Sequence, residues 1–365
     1  MTRQDGCLIW LSLAEGLGFT RTRALLERFS GAEGVWAAKE AQWAELVGPA
    51  LAGRLRAARD PAKINDYVSS ILKRGIRILT LEGENYPSLL AQTPDAPYVL
   101  YAMGDLSLAE RPCAAIVGSR SCSSYGARVA AEFASAIAGA GGVVVSGLAL
   151  GIDAAAHRTA LNAGGGTIAV LGNGIELFYP PENEALQREI AQKGLLLSEY
   201  PPHFPVRRWQ FPVRNRIIAG LSRAVLLPEA GENSGALSTA ESAMEYGREC
   251  FTVPGQIFSP YSFETNRLLK TSAQVALEPA DLLPALGLSQ SPKIAGKALK
   301  TKGGTPTLSN DERPIYDALR AQALSFDELA QLSALELSAL NSLLTMMEMK
   351  GIIIRMPGRN YELNV

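Results

Sequence analysis

The chain of 365 residues is poor in the residue types that build most metal centres and catalytic sites. It holds two histidines, His157 and His203, which excludes a histidine-rich metal site. Its four cysteines, Cys7, Cys113, Cys122 and Cys250, are scattered without a CxxC pair or framework spacing, and read as buried thiols of a reducing compartment. No charge-free apolar run reaches the ~18 residues of a membrane helix, so no membrane role is expected. The opening stretch lacks a true hydrophobic region followed by a cleavage site, so a signal peptide is not expected and the cytoplasm is the simplest address. There is no Walker A sequence and no Gly-x-Ser-x-Gly elbow. Excess charge is missing too. With a formal net charge of −1, any nucleic-acid binding requires basic residues gathered in one place.

A single core stops growing near ~250–300 residues, so more than one domain is expected. Residues 1–65 read as an all-helical module: Leu13, Leu17, Leu25, Leu26 and Phe29 fall at helical spacings around Gly16-Leu17-Gly18, and a second break follows at Gly48-Pro49. Short helices about glycine turns resemble SAM-like or helix-hairpin-helix units, whose turn amides meet a DNA phosphate or serve docking alone.

From 66 to 287 short apolar strands alternate with longer helices. Strands are expected at 75–81, 98–102, 113–118, 143–146, 167–172, 195–198, 224–228 and 249–253, with helices such as 125–138, 152–162 and 236–246 between them. Continuously apolar strands argue an α/β domain, a doubly wound and mostly parallel sheet with both faces covered, whose ligands sit beyond the strands' carboxyl ends.

Residues 288–307 carry Lys293, Lys297, Lys300 and Lys302 among Pro and Gly, and read as a flexible basic linker. In 308–365 a helix at 311–323, the capping-box patterns Ser325-Phe-Asp-Glu328 and Ser333-Ala-Leu-Glu336, and a hairpin at 352–364 make a winged-helix pattern.

Three strand-to-helix turns carry glycines and hydroxyls. They are Gly118-Ser119-Arg120 with Ser123 and Ser124, the Ser146-Gly147 turn that runs on to Gly151-Ile152-Asp153, and Ser234-Gly235-Ala236. Each suits a phosphate at a helix start, and Arg120 adds a charge-assisted donor. A plain turn explains any one of them alone; three on one sheet point to a phosphate-lined edge. Between residues 200 and 223 there is no acid, while Arg207, Arg208, Arg214 and Arg216 interleave with Trp209 and Phe211. That mixture suits a charged backbone whose free bases stack on aromatic rings. Pairing of the arginines with distant carboxylates is the structural alternative.

The motifs Ala115-Ile-Val-Gly-Ser-Arg120, Ser146-Gly-Leu-Ala-Leu-Gly-Ile-Asp-Ala-Ala-Ala-His157, Ala169-Val-Leu-Gly-Asn-Gly174, Ser198-Glu-Tyr-Pro-Pro202, Phe211-Pro-Val-Arg-Asn-Arg-Ile-Ile-Ala-Gly-Leu-Ser222, Ser234-Gly-Ala-Leu-Ser-Thr-Ala240 and Val253-Pro-Gly255 follow one another in order. Together they closely resemble the DprA/Smf family over most of 75–285. The resemblance implies an extended Rossmann-like domain that binds single-stranded DNA, dimerises, and helps load a RecA-type recombinase on incoming DNA in natural transformation. By matching positions it places Gly118, Ser119, Arg120, Ser146, Gly147, Arg214, Asn215, Arg216, Ser234 and Gly235 along the DNA path, flanked by Phe211, Arg207 and Arg208. It implies no cofactor. Glu264 and Ser272 stand where the family has glycines, and binding is not carried over to them.

The rival reading is a nucleotide-cleaving enzyme similar to lysine-decarboxylase-like phosphoribohydrolases. The stretch comparable to their Pro-Gly-Gly-x-Gly-Thr-x-x-Glu turn lacks the first glycine pair and has Ser242 at the catalytic Glu position, so a non-enzyme is expected. A duplex-reading tail fits poorly, because 308–365 holds eight acids against five bases.

Overall fold

The computed structural model describes residues 2–289, 308–319, 324–333, 335–356 and 360–363, which fall into two compact units, one on each side of the 290–307 stretch. The expected basic linker lies outside the described residues apart from its first two positions.

The first unit opens with six helices, α1 (Arg3–Leu13), α2 (Phe19–Arg28), α3 (Ala32–Ala37), α4 (Glu40–Val47), α5 (Pro49–Ala58) and α6 (Pro61–Lys73). Trp10, fully buried, packs edge-on against Trp36 and donates its indole N–H to Leu55 O at 3.0 Å. Gly16 and Gly48 both take positive φ, as the breaks between helices require. These helices share a core with the sheet: Leu8, Ile9, Leu11 and Ile71 cluster with Val99, Tyr101, Ala169, Leu171 and Leu196.

Then come β1 (Arg77–Thr80), α7 (Ser88–Ala91), β2 (Val99–Gly104), β3 (Cys113–Ile116), α8 (Ser124–Gly139), β4 (Val143–Ser146), α9 (Ile152–Asn162) and β5 (Gly166–Leu171). They are followed by α10 (Glu184–Lys193), β6 (Leu195–Ser198), α11 (Gln210–Leu221), β7 (Ala224–Leu227), α12 (Leu237–Glu245), β8 (Glu249–Thr252), α13 (Phe263–Thr271) and β9 (Gln274–Val275). The nine strands form one sheet in the order β1-β2-β6-β5-β4-β3-β7-β8-β9. Pairing is parallel from β6 to β9, and antiparallel where β2 meets β6 and β1. Side chains alternate between the faces. Val143, Val145, Ile168 and Val170 meet α11 and α12 on one side, while Ala114, Ile116 and Val144 meet α8 and α9 on the other. The doubly wound, mostly parallel sheet expected from the apolar strands is present.

The order in which strands join the sheet reverses between the parallel neighbours β3 and β7, the point where such sheets open a crevice for ligands. Here the crevice is closed from within. Ser119 N–H donates to Glu229 O at 3.0 Å, and the buried Glu229 carboxylate accepts Ser123 N–H at 2.9 Å and the Ser123 hydroxyl. An internal anion therefore occupies the start of α8. Gly126 makes room for it, since a Cβ there would lie 2.3 Å from Glu229 Oε2.

The second unit holds α14 (Glu312–Leu319), β10 (Leu324–Ser325), α15 (Phe326–Ser333), α16 (Leu337–Met349), β11 (Ile353–Met356) and β12 (Asn360–Leu363). Its strands pair β10-β12-β11, giving the winged helix a third strand beyond the expected hairpin. The Ser325–Glu328 capping box forms, with Glu328 N–H donating to Ser325 Oγ at 3.3 Å. The second expected box does not. Ser333 is the last residue of α15 and caps Leu335 N–H instead, while α16 starts from Glu336.

His157, on α9, is fully buried. The Thr167 hydroxyl donates to Val144 O at 2.8 Å, so it accepts from His157 Nδ1–H at 2.7 Å and leaves Nε2 a bare buried acceptor. Burial, helped by the Arg214 charge, lowers the imidazole pKa to about 3. Between pH 6.5 and 3 the unfolded chain then binds a proton that the folded chain refuses, so stability falls on acidification by up to ~1.4 kcal/mol per unit from this group. In urea titrations from pH 6.5 to 4.5, His157→Leu is expected to lose stability less steeply than wild type. Gly126→Ala, which in an ordinary helix interior gains up to about 1 kcal/mol, is expected here to cost about 1–3 kcal/mol by overpacking against Glu229, read from the same titrations.

Candidate nucleic-acid interface

The acid-free segment folds as a turn followed by α11, and burial divides it sharply. Arg207, Arg208 and Trp209 are exposed ahead of the helix, Phe211 is half-buried, and Arg214, Asn215 and Arg216 are inside. Arg214 donates to Gly147 O at 2.7 Å and also to Val170 O, tying together the carboxyl ends of β4 and β5. Gly147 is glycine because the guanidinium lies on it; a Cβ there would stand 2.4 Å from Nη2. Burial pulls the Arg214 pKa down to about 10 against the opposing pull of Asp153. Arg216 places Nη2 at 2.7 and 2.8 Å from the two Glu199 oxygens and Nε at 3.7 Å from Asp95. Burial raises the Glu199 pKa, and the Arg216 charge works against that. Asn215 donates to Gly235 O at 3.0 Å and Ser238 Oγ at 2.8 Å.

The expected phosphate turns are likewise satisfied from within. Ser146 is fully buried and its hydroxyl donates to Ile116 O at 2.6 Å. One oxygen of buried Asp153 accepts Gly147 N–H at 3.1 Å and Ala149 N–H at 3.3 Å. Ser234 Oγ accepts Ala236 N–H at 3.4 Å. The reason is electrostatic: a helix start buried against the sheet needs an anion or acceptor, and this chain supplies its own. Thus Ser146, Gly147, Arg214, Asn215 and Arg216, expected along a DNA path, lie below the surface and bond within the protein, with Arg216 Nη1 left as a buried nitrogen without a hydrogen-bond partner. The Gly172-Asn173-Gly174 turn is also filled, Gly174 meeting Pro201 and Pro202 carbonyls too closely for any Cβ.

What faces solvent at this edge is a set of side chains. Arg120 is exposed, with its guanidinium 5.3 Å from the Phe211 centroid. Tyr179 stacks on Phe211 with centroids 5.4 Å apart and planes at 28°. Trp209, 56% exposed, meets Tyr200 edge-on at 6.1 Å. Among the described residues Arg120, Arg207 and Arg208 make no ion pair. Gly118 and Ser119, which precede Arg120 in its turn, are half-buried, as is Ser234, and Gly235 is exposed. Sequence reasoning did not single out Tyr179, because only the fold brings the β5 turn against α11. The contact of Glu229 with Ser123 at the start of α8 depends on the fold for the same reason.

Glu264 and Ser272 fit where the resemblance led one to look for glycines. Glu264 opens α13 at 3.7 Å from Arg267, and Ser272 has a negative φ that any residue adopts. No cluster of three or more His, Cys, Asp or Glu residues suited to a metal, and no helix long and apolar enough to cross a membrane, occurs among the described residues.

Residues 77–287 match the pattern of the DNA recombination-mediator protein A family, and 300–359 match the DprA winged helix domain. Protein Smf of Synechocystis is 32% identical over 97% of both chains. The X-ray structure of DNA processing protein A from Streptococcus pneumoniae superposes with a TM-score of 0.68 at 35% identity, covering 78% of this chain and 98% of that one. That of the Helicobacter pylori protein gives 0.52 at 34% identity, covering 58% and 95%. With its fold, motif order and tail all in agreement, the chain belongs to the DNA recombination-mediator protein A family, whose members carry the names DprA and Smf.

Proposed function

We propose that the chain binds single-stranded DNA along the carboxyl edge of its sheet, and acts in DNA processing by protecting incoming strands and helping load a RecA-type recombinase in the cytoplasm. The observation that carries the binding step is the group of exposed arginines without ion pairs: Arg120, 5.3 Å from the half-buried Phe211 ring, and Arg207 and Arg208, which precede the exposed Trp209 in the chain. Unpaired guanidiniums neutralise a phosphate backbone, and rings accept bases that are not already stacked in a duplex. The Helicobacter pylori relative is described by its single-stranded DNA binding mode, which supports the same reading here. Family membership alone supports the recombinase step.

Arg214 and Arg216 support this edge from beneath. The non-enzymatic reading is favoured over phosphoribohydrolase chemistry by Glu229, whose carboxylate occupies the helix start that a nucleotide phosphate would need. Dimerisation through the Rossmann-like domain is supported by the edge strand β9, whose Val275 is 47% exposed, and by Leu277 just beyond it, 76% exposed, since an open apolar edge invites a second copy. The winged helix reads as accessory: Lys350, the one base of its 336–350 segment, is held 2.7 Å from buried Glu312.

In competition between labelled oligo-dT and duplex at two salt concentrations, single strands are expected to win. Arg120→Ala, Arg207→Ala and Arg208→Ala should each flatten the log-affinity against log-salt slope by about 0.7. Equal affinity for duplex, or unchanged slopes, would refute the reading. Release of ribose 5-phosphate from AMP would overturn the non-enzyme assignment. Val275→Lys with Leu277→Lys is expected to shift the chain to monomer in size-exclusion chromatography with light scattering.

A further inference from the structure

The exposed Arg207, Arg208 and Trp209 stand at the end of an arm, residues 199–209, that joins β6 to α11 without a helix or strand of its own. Such an arm is free to fluctuate unless something outside it holds it. Here it is tied to the turn after β5. Gly174 N–H donates to Phe204 O at 2.9 Å and Glu176 N–H to Pro202 O at 3.1 Å, while Tyr200 stacks on Phe204 with centroids 5.3 Å apart. The turn is itself fixed, because Gln187 on α10 donates to both Ile175 O and Leu177 O at 3.2 Å.

These backbone bonds are reinforced from a third direction. Arg74, which caps α6 at the end of the helical module, donates through Nη1 to Glu176 Oε2 at 2.6 Å and to His203 Nε2 at 2.9 Å. A guanidinium can only donate, so the imidazole accepts at Nε2. Arg74 Nε also donates to Ser70 O at 3.3 Å, which aligns the side chain along its own helix. That helix cannot easily shift, because Ile64 and Ile71 bury it in the core shared with the sheet. One cation thus joins the helical module, the turn after β5 and the arm. The Arg74 and Glu176 side chains are 35% and 21% exposed, so solvent screens their pairing less than it would on an open surface.

We propose that Arg74 is a positioning residue for DNA binding: by bridging Glu176 and His203 it fixes the arm that carries Arg207, Arg208 and Trp209, so that the helical module sets the affinity of the edge without touching the strand. The inference rests on the single-stranded DNA reading and gives the N-terminal module a part in it, as a brace rather than as a second DNA contact. The physical basis is preorganisation. An arm held before the strand arrives has less freedom to lose on binding. Without the bridge the strand must order the arm itself, and ordering the backbone of one freed residue lowers affinity about 5- to 30-fold.

The test uses the full-length chain, oligo-dT and amide hydrogen exchange. Arg74→Ala is expected to weaken oligo-dT binding about 5- to 30-fold. Its salt slope should stay at the wild-type value, because no phosphate contact is lost. Exchange at residues 200–209 should quicken in the free variant while β4 and β5 keep their protection, and saturating oligo-dT should restore protection of the arm. Arg74→Lys, which keeps a cation within reach of Glu176, should recover part of the affinity. Glu176→Gln removes the charge on which Arg74 sits and keeps the shape of the side chain. It should act in the same direction, and it carries the test if Arg74→Ala fails to fold. Wild-type affinity or wild-type arm exchange in Arg74→Ala overturns this inference and leaves the binding reading standing. A salt slope flattened by about 0.7 also overturns it, since Arg74 would then itself contact a phosphate. A wild-type chain that does not bind oligo-dT overturns the binding reading, and this inference with it.

Discussion

The carboxyl edge of the sheet is organised around a guanidinium that never reaches solvent. Arg214 spans from α11 to the carbonyl ends of β4 and β5, and Asp153 on the first turn of α9 balances its charge while accepting the amides of Gly147 and Ala149. Removing one member of a buried charged pair leaves the other desolvated and unmatched, typically at a cost of ~3–5 kcal/mol. The adjacent positions follow from this constraint. Gly147 must lack a side chain, Asn215 is drawn in to accept Arg214 Nε–H at 3.0 Å, and Phe211, one helical turn earlier, is carried onto Gly172. Arg216 repeats the arrangement with Glu199 and Asp95, and Tyr246 donates its hydroxyl to Asp95 to complete that cluster.

Within this frame the protein has given up the usual means by which such a sheet binds phosphate. Glu229 lies on the start of α8, Asp153 takes the amides after β4, and the Ser234 turn closes on itself. Backbone amides cradle one compact anion well, but a long polyanion is better met by mobile cations spread along a track. With the amides satisfied internally, what remains for a ligand is Arg120, Arg207 and Arg208 and the aromatic faces between them.

The six N-terminal helices bear on that edge as well. Their core is continuous with β2, β5 and β6, and Arg74 at the end of α6 reaches Glu176 at 2.6 Å beside His203. Glu176 N–H in turn donates to Pro202 O at 3.1 Å, so the segment leading into Arg207, Arg208 and Trp209 is braced from the helical side. Phe19 on α2 adds a ring 5.7 Å from the Arg216 guanidinium.

Apolar periodicity and turn residues by themselves determined the sheet, its parallel core strands and the winged-helix pattern, because those patterns record which faces are buried and where the chain must bend. The ordered motifs were enough to place the chain in its family. Sequence could not sort the arginines of the acid-free segment, since Glu199 and Asp153 lie well upstream of their partners and only the packed sheet sets them beside Arg216 and Arg214. Nor could it find Glu229 under Gly126, or Tyr179 against Phe211, pairs separated by 103 and 32 positions in the chain. Charge and aromatic character are local properties of a sequence. Whether a charge is already neutralised, and whether a ring still has a free face, depends on long-range packing, and only the tertiary structure decided both.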